Sequence, residues 1–373
     1  MRSIMHANRL HLLLPFALPA AADASTALHD IKSPALDRMI ARATLAERVI
    51  GEDFQRTLPH ERWVARQFGA LLSGAAAADE APLAPYMLRA DGGDPGTATW
   101  ACVQPVHVRI VHDHLVLIDP ASLELSDEDA AALLAVVRPL IDELGVRIEA
   151  PKPSRWYLSG EDFGTLSGTS PLRASGRNIE IWLPHEVHSG ERSRVWMKLQ
   201  NEVQMAWFEN PVNEAREARG LPVVNSIWFH AQGKAQPVTS PFSLVCSDAA
   251  AIRGLAMTAG TPVAAPPATF SAFAALPALE SSTNANAAGK PVLVELDPFS
   301  APYIEQDWAR WNAAFAALET GWFQPALEAL QEGRFAELDL TLCGDTGSVT
   351  LTLTRGDLSK FWRRRVLASL FIE

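Results

Sequence analysis

An α/β fold is what this chain predicts, on three observations. Short apolar runs of strand length, at 10–16, 223–229 and 291–296, alternate with longer stretches of helical period. The length of 373 residues allows a sizeable buried core. A hydrophobic content of 48% beside 20% charged residues belongs to a globular chain and not to a disordered one. The formal net charge of -11 argues against a nucleic-acid partner, which needs concentrated Lys and Arg. Cys102, Cys246 and Cys343 are too far apart for a metal motif and suit a reducing, cytoplasmic setting. No run approaches the roughly 20 apolar residues that span a bilayer, so no membrane is expected.

The elements follow in order. Arg2 and Arg9 before the apolar run Leu10–Leu18 imitate a signal peptide, which would make the protein secreted. Pro15 and His11 interrupt that run, so a first strand over Leu10–Phe16 is the preferred reading. Ser33 and Pro34 open a helix to Ala43 as N-cap and first helical residue. A helix over Leu58–Leu72 precedes an Ala-, Pro-, Asp- and Gly-rich loop at 75–96. Trp100–Asp119 alternates as a strand should, with Val108, Ile110, His112, His114 and Val116 on one face. Ser126 and Asp129 form a capping box for a helix that Gly145 ends, and short strands follow at 146–150 and 155–158. A helix ends at Ala259, an Ala/Pro/Ser-rich linker covers 261–290, and a helix over Trp308–Leu330 breaks at Pro325. A hairpin pairs 338–342 with 348–354, and a basic helix, Leu358–Phe371, closes the chain. Its Arg363-Arg364-Arg365 run fits a solvated helix face or a subunit contact. The expected organisation is a main region at 10–260, the linker at 261–290, and a segment at 291–373 that completes the same fold.

Lys198–Lys234 concentrates the polar and aromatic residues that a site needs. Val195, Trp196, Leu199, Val203, Ala206 and Trp207 make the buried face of a helix, with Gln200, Asn201 and Gln204 opposite and Glu202 at the edge as structural polar groups. Asn210 and Pro211 begin a second helix that Gly220 ends. Arg216 and Arg219, three apart on it, would clamp a small anion. The strand Val223–Phe229 carries Asn225 and Trp228. It releases His230, Gln232, Gly233 and Lys234 at its carboxyl end, where α/β proteins gather ligands. His112 and His114 would hold a metal if a third ligand, such as Asp297, joined them. No phosphate-binding loop, nucleophile elbow or dinucleotide fingerprint is present.

Four segments carry a resemblance: Leu12–Ala17, Gln200–Met205, Pro211–Gly220 and Val224–Trp228. Together they resemble the RpfE-type regulatory proteins of proteobacteria, whose members are often labelled cofactor-independent phosphoglycerate mutase. Asn225–Trp228 with Gln232–Lys234, and Ile252–Ala256 with Ala259–Gly260, are similar to stretches of the archaeal-type mutases. Ser33–Arg38 resembles their early helix. The resemblance implies a three-layer sandwich of the alkaline-phosphatase superfamily, with a central mixed sheet and helices on both faces. It also implies a site with two bridging divalent metals, and here the chain departs. Pro15-Phe16-Ala17-Leu18 stands in place of an Asp-Gly turn, and Asp297-Pro298-Phe299-Ser300-Ala301 in place of an Asp-Glu-x-x-His motif. The late Asp-His pair has no counterpart near Cys343-Gly344-Asp345, which leaves Asp297 alone. Two-metal catalysis stabilises both the attacking and the leaving oxygen, and it fails without its ligands. The expectation is a degenerate mutase scaffold that binds a small anion or a protein partner and needs no cofactor. The alternative is a Mn- or Zn-dependent phosphomutase or phosphatase with a rearranged site built on His112, His114, His230 and Asp297.

Overall fold

The computed structural model describes residues 9–20, 27–28, 31–71, 80–186, 190–281 and 289–370. Two compact units form: Met1–Gln55, Pro59–Phe68 and Val238–Glu373 make the first, Arg56–Leu58 and Gly69–Pro237 the second. The region expected at 10–260 is thus divided. The first strand finds its partners at Val292–Glu295 and Glu337–Gly344, far along the chain.

The first unit is built on a seven-stranded sheet. Its strands lie in the order Val263–Ala264, Leu244–Cys246, Val292–Glu295, Arg9–Leu18, Glu337–Gly344, Gly347–Thr354 and Thr44–Ile50. The first five run parallel and the last two add antiparallel, so the sheet is mixed. Arg9–Leu18 sits at its centre and is buried along nearly its whole length, which requires cover on both faces. A proline is tolerated there because the pairing with Glu337–Gly344 shifts register between Leu14 and Leu18, with Phe16 at φ +51°. The apolar run of the signal-peptide reading is therefore a central strand; Arg2 lies outside the described residues.

Helices flank this sheet. Pro59–Phe68 lays Trp63 against His11, ring centroids 4.8 Å apart. Pro34–Arg42 begins where expected, yet the Ser33 side chain does not cap it. Ser33 Oγ donates to Glu319 (2.6 Å), and Glu319 itself accepts from the Ala35 N–H (2.7 Å). A carboxylate from a distant segment thus caps the positive end of the helix. The long helix breaks in a π-helical turn, Glu319–Phe323, between Trp308–Leu318 and Gln324–Gln331. The expected linker holds helices Phe270–Ala274 and Pro277–Ser281, because Phe270 and Phe273 bury against Trp322 at 6.1 and 5.8 Å.

The second unit has a four-stranded antiparallel sheet: Ser226–Lys234, Thr99–Val106, Arg155–Ser159 and Arg147–Lys152. One face packs Ala101, Val103, Trp156, Leu158, Ile227 and Phe229 against helices Asp127–Asp142 and Glu191–Trp207. Across the other face run His230, Cys102 and Tyr157, directly opposite one another in register. The loop expected at 75–96 contains a helix, Ala84–Ala90, that packs on Thr99–Val106 and Ser226–Lys234. The single strand expected over 100–119 is also corrected. Val108–Val111 and His114–Leu117 pair as a hairpin, with His112 in the turn at φ +55°, so the chain folds back where alternation suggested continuity. Among the described residues no helix is long and apolar enough to cross a membrane.

Candidate functional site

In the first unit, the parallel strands Leu244–Cys246 and Val292–Glu295 release Ser247, Asp248 and Asp297 at their carboxyl ends. This is the edge where a sheet of this kind presents a site. Ser247 Oγ donates to Glu295, whose side chain is buried, and accepts from the Ala249 N–H at 3.0 Å. Burial pushes the Glu295 carboxyl up to about 7, and the charges of Asp297 and Asp248 push the same way against the Ser247 hydrogen bond. It can exchange a proton near neutrality, the property expected of a general acid or base. Asp297 is engaged: Ser300 Oγ lies 2.7 Å from both carboxylate oxygens, and the Ser300 N–H donates to one of them at 3.0 Å. Among the described residues no three His, Cys, Asp or Glu side chains are grouped to hold a metal ion.

In the second unit a pocket of about 430 Å³ opens between the end of helix Glu191–Trp207, helix Pro211–Ala218 and the approach to strand Ser226–Lys234. Its construction is local. Asn210 Oδ1 accepts from the Val212 N–H (2.9 Å) and starts the second helix. Asn213, buried, donates to the carbonyls of Trp207 (3.0 Å) and Val224 (2.8 Å), which joins helix end to strand. Asn225 exchanges two 2.8 Å bonds with the Val108 backbone and forms part of the wall. Glu209, Glu214 and Glu217 line this pocket, and none of the three is ion-paired among the described residues. Phe208 stands 71% exposed at its rim. Three uncompensated carboxylates beside an aromatic ring attract a cation and repel an anion.

The residues singled out in the sequence fall into distinct settings. Arg216 is fully buried; it donates to the carbonyls of Pro222 (2.9 Å) and Leu123 and lies 3.9 Å from Asp129. It therefore ties its helix to two loops and does not clamp an anion. Arg219 is exposed and pairs with Asp129 at 3.4 Å. Gln200, and not Glu202, joins helix to strand, donating to Ser226 Oγ (2.9 Å) and the Ile227 carbonyl (3.2 Å). Glu202 pairs on the surface with Lys198, one turn away, at 3.5 Å. Asn201 is exposed; Gln204 lines the pocket. Trp228 is buried and donates to the Thr169 carbonyl (2.7 Å).

His230 is buried; burial first, and then the charge of Arg155, push its pKa down to about 3, so it is neutral at ordinary pH. Gln232 accepts from the Gly168 N–H (3.1 Å), and Lys234 lies 3.5 Å from Glu161. Gly233, at φ +155°, has Pro82 where a Cβ would stand, so its small size serves packing within the unit and not the approach of a ligand. His112 and His114 are exposed on their hairpin, His114 beside Asp113 at 3.2 Å, while His230 is buried in the sheet. The pocket acids and Glu295 were missed. Their signals are in the sequence: Glu214 and Glu217 share a helix face three residues apart, and Glu295 interrupts an otherwise apolar strand.

No protein-family model matches this chain, and no curated protein matches it in sequence. Solved structures similar to it in shape include the following two. Protein PH0037 from Pyrococcus horikoshii aligns over 93% of this chain and 87% of its own, at 11% identity and a TM-score of 0.48. A cofactor-independent phosphoglycerate mutase from Thermoplasma acidophilum aligns over 98% of this chain and 96% of its own, at 13% identity and a TM-score of 0.38.

Proposed function

We propose that this chain is a binding protein of the RpfE regulatory type, which works by holding a partner and not by two-metal phosphoryl transfer. The observation that carries the reading is how the carboxylates are used. At the sheet edge of the first unit, Asp297 is bonded to Ser300 and Glu295 to Ser247. In the second unit's pocket, Glu209, Glu214 and Glu217 have no ion-pair partner among the described residues. Groups already satisfied have little left to offer a metal, whereas uncompensated charge around a concave surface supports binding. The ligand of that pocket carries positive charge, as an ammonium or a guanidinium on a partner protein, in place of the small anion expected from Arg216 and Arg219.

The test pairs two measurements on the full chain. An arginine-rich peptide titrated at low salt binds the wild type, and Glu214→Gln with Glu217→Gln weakens it by about tenfold. Failure of the peptide to bind, or equal binding by the double variant, defeats the pocket assignment. Metal analysis and a phosphoglycerate mutase assay address the rest. Stoichiometric manganese or zinc, with turnover lost in His112→Ala, would establish the enzyme instead.

A further inference from the structure

The chain's last described segment combines charge and exposed aromatic surface in a way the binding pocket does not explain. The basic helix expected over Leu358–Phe371 does not form; 3₁₀ turns at Asp357–Ser359 and Leu367–Leu370 bracket an irregular loop. Guanidinium groups compete for the carbonyls that a helix would use. Arg42 donates to the carbonyls of Lys360 (3.1 Å) and Arg363, and Arg48 to that of Ser369 (3.0 Å). The loop's own Arg363 and Arg365 reach back to the carbonyls of Arg42 (2.9 Å) and Ala43 (3.0 Å). Leu367 and Leu370 are buried behind it. The loop is therefore held in place before any partner arrives.

What it presents is unusual for an acidic protein. Phe361 and Trp362 are 71% and 64% exposed and lie edge to face at 5.4 Å, and Val366 of the same loop is 58% exposed. The segment carries Lys360, Arg363, Arg364 and Arg365, and Arg42 and Arg48 bond its carbonyls; among the described residues Asp357 alone is ion-paired with any of these six, through Lys360 (2.7 Å) and Arg363 (3.1 Å). Burial, then the charges of Arg363 and Arg48, push the Arg365 pKa down, the sign of crowded cations. Arg364 is exposed and has no partner among the described residues.

We propose that this loop is a docking surface for a short acidic segment of another protein, one that also carries an aromatic or aliphatic side chain. Trp, Phe and Arg are the residues that interface cores favour, and a pinned loop loses little conformational entropy on binding. Complementary charge selects an acidic partner. A short segment fits better than a nucleic acid or an anionic bilayer. The chain's net charge of -11 opposes an extended polyanion, while a segment lying within a Debye length of about 8 Å feels the local cations. This inference is independent of the acidic pocket, which calls for a partner of opposite sign.

Random peptides of about ten residues, displayed on phage, are panned on the full chain, with Trp362→Ala and Arg364→Glu as counter-selections. Both side chains are exposed, and unchanged circular dichroism and melting temperature establish that the variants fold. The expected winners have net negative charge and an apolar side chain. One of them, synthesised and titrated, loses about tenfold in affinity in either variant and weakens as salt rises. Absence of any Trp362-dependent peptide, or winners that are neutral or basic, overturns the proposal. So does Trp362-dependent binding to phosphatidylserine vesicles, to a single-stranded oligonucleotide or to a second copy of the chain, with none to acidic peptides.

Discussion

The carboxyl edge of the first unit's sheet and the pocket of the second handle acidic side chains in opposite ways. At the edge, Glu295 is buried and receives the Ser247 hydroxyl, while Asp297 is bonded by its neighbour Ser300. In the pocket, Glu209, Glu214 and Glu217 are exposed, with no cation among the described residues paired to them. A buried acid affects stability because its charged form is costly there. An open, unpaired one contributes little to stability and leaves its charge for a ligand. The contrast separates groups that serve the fold from groups left for binding, and it does so without reference to any family.

The largest effect expected from this contrast concerns Glu295. Its folded pKa of about 7 exceeds the ordinary 4.5, so the folded state holds a proton that the unfolded state releases between those values. The contribution of Glu295 to stability is therefore fully present below pH 4.5 and is lost as pH rises through about 7, by about 3 kcal/mol in all. Glu295→Gln should flatten that limb and leave the variant the more stable protein at pH 8. Urea unfolding at three pH values measures it, and parallel profiles for the two proteins would refute the buried-acid account. Next comes Gly233→Ala, whose methyl would overlap Pro82 and cost about 1–3 kcal/mol of stability. Binding of the arginine-rich peptide should not change; a variant of normal stability that loses binding would return Gly233 to the ligand site. The smallest effect is at Glu202, whose surface pair with Lys198 predicts a change within about 0.5 kcal/mol for Glu202→Ala. A loss several times larger in thermal unfolding would mean that Glu202, and not Gln200, anchors the helix.

Much of the fold was legible because its signals are local. Asn210 and Pro211 set the start of their helix through a side-chain cap and a fixed φ, and Ser126 did the same for its own. Leu10–Phe16 read as a strand through its run of large apolar residues, and the structure places it within the central strand of a mixed sheet, Arg9–Leu18. Lys198–Lys234 was expected to build most of a site, and Gln204 and Asn225 of that stretch line the second unit's pocket. What could not be read there was direction. Arg216 and Glu214 are two residues apart on one short helix, yet the arginine turns inward to carbonyls of Leu123 and Pro222 while the glutamate faces the pocket.

The sequence by itself determined several of the elements, among them the first strand and the helices that begin at Pro34, Asp127 and Pro211. Only the tertiary structure decided that residues 69–237 form a compact unit of their own and that the first strand pairs with strands far along the chain. It alone decided that Glu319 caps a helix 284 residues away, and that the terminal arginines hold a loop where a helix was expected. Caps, turns and periodicity act between neighbours in sequence. The partners of a buried charge are chosen by whichever donors packing brings near, and that depends on the whole fold.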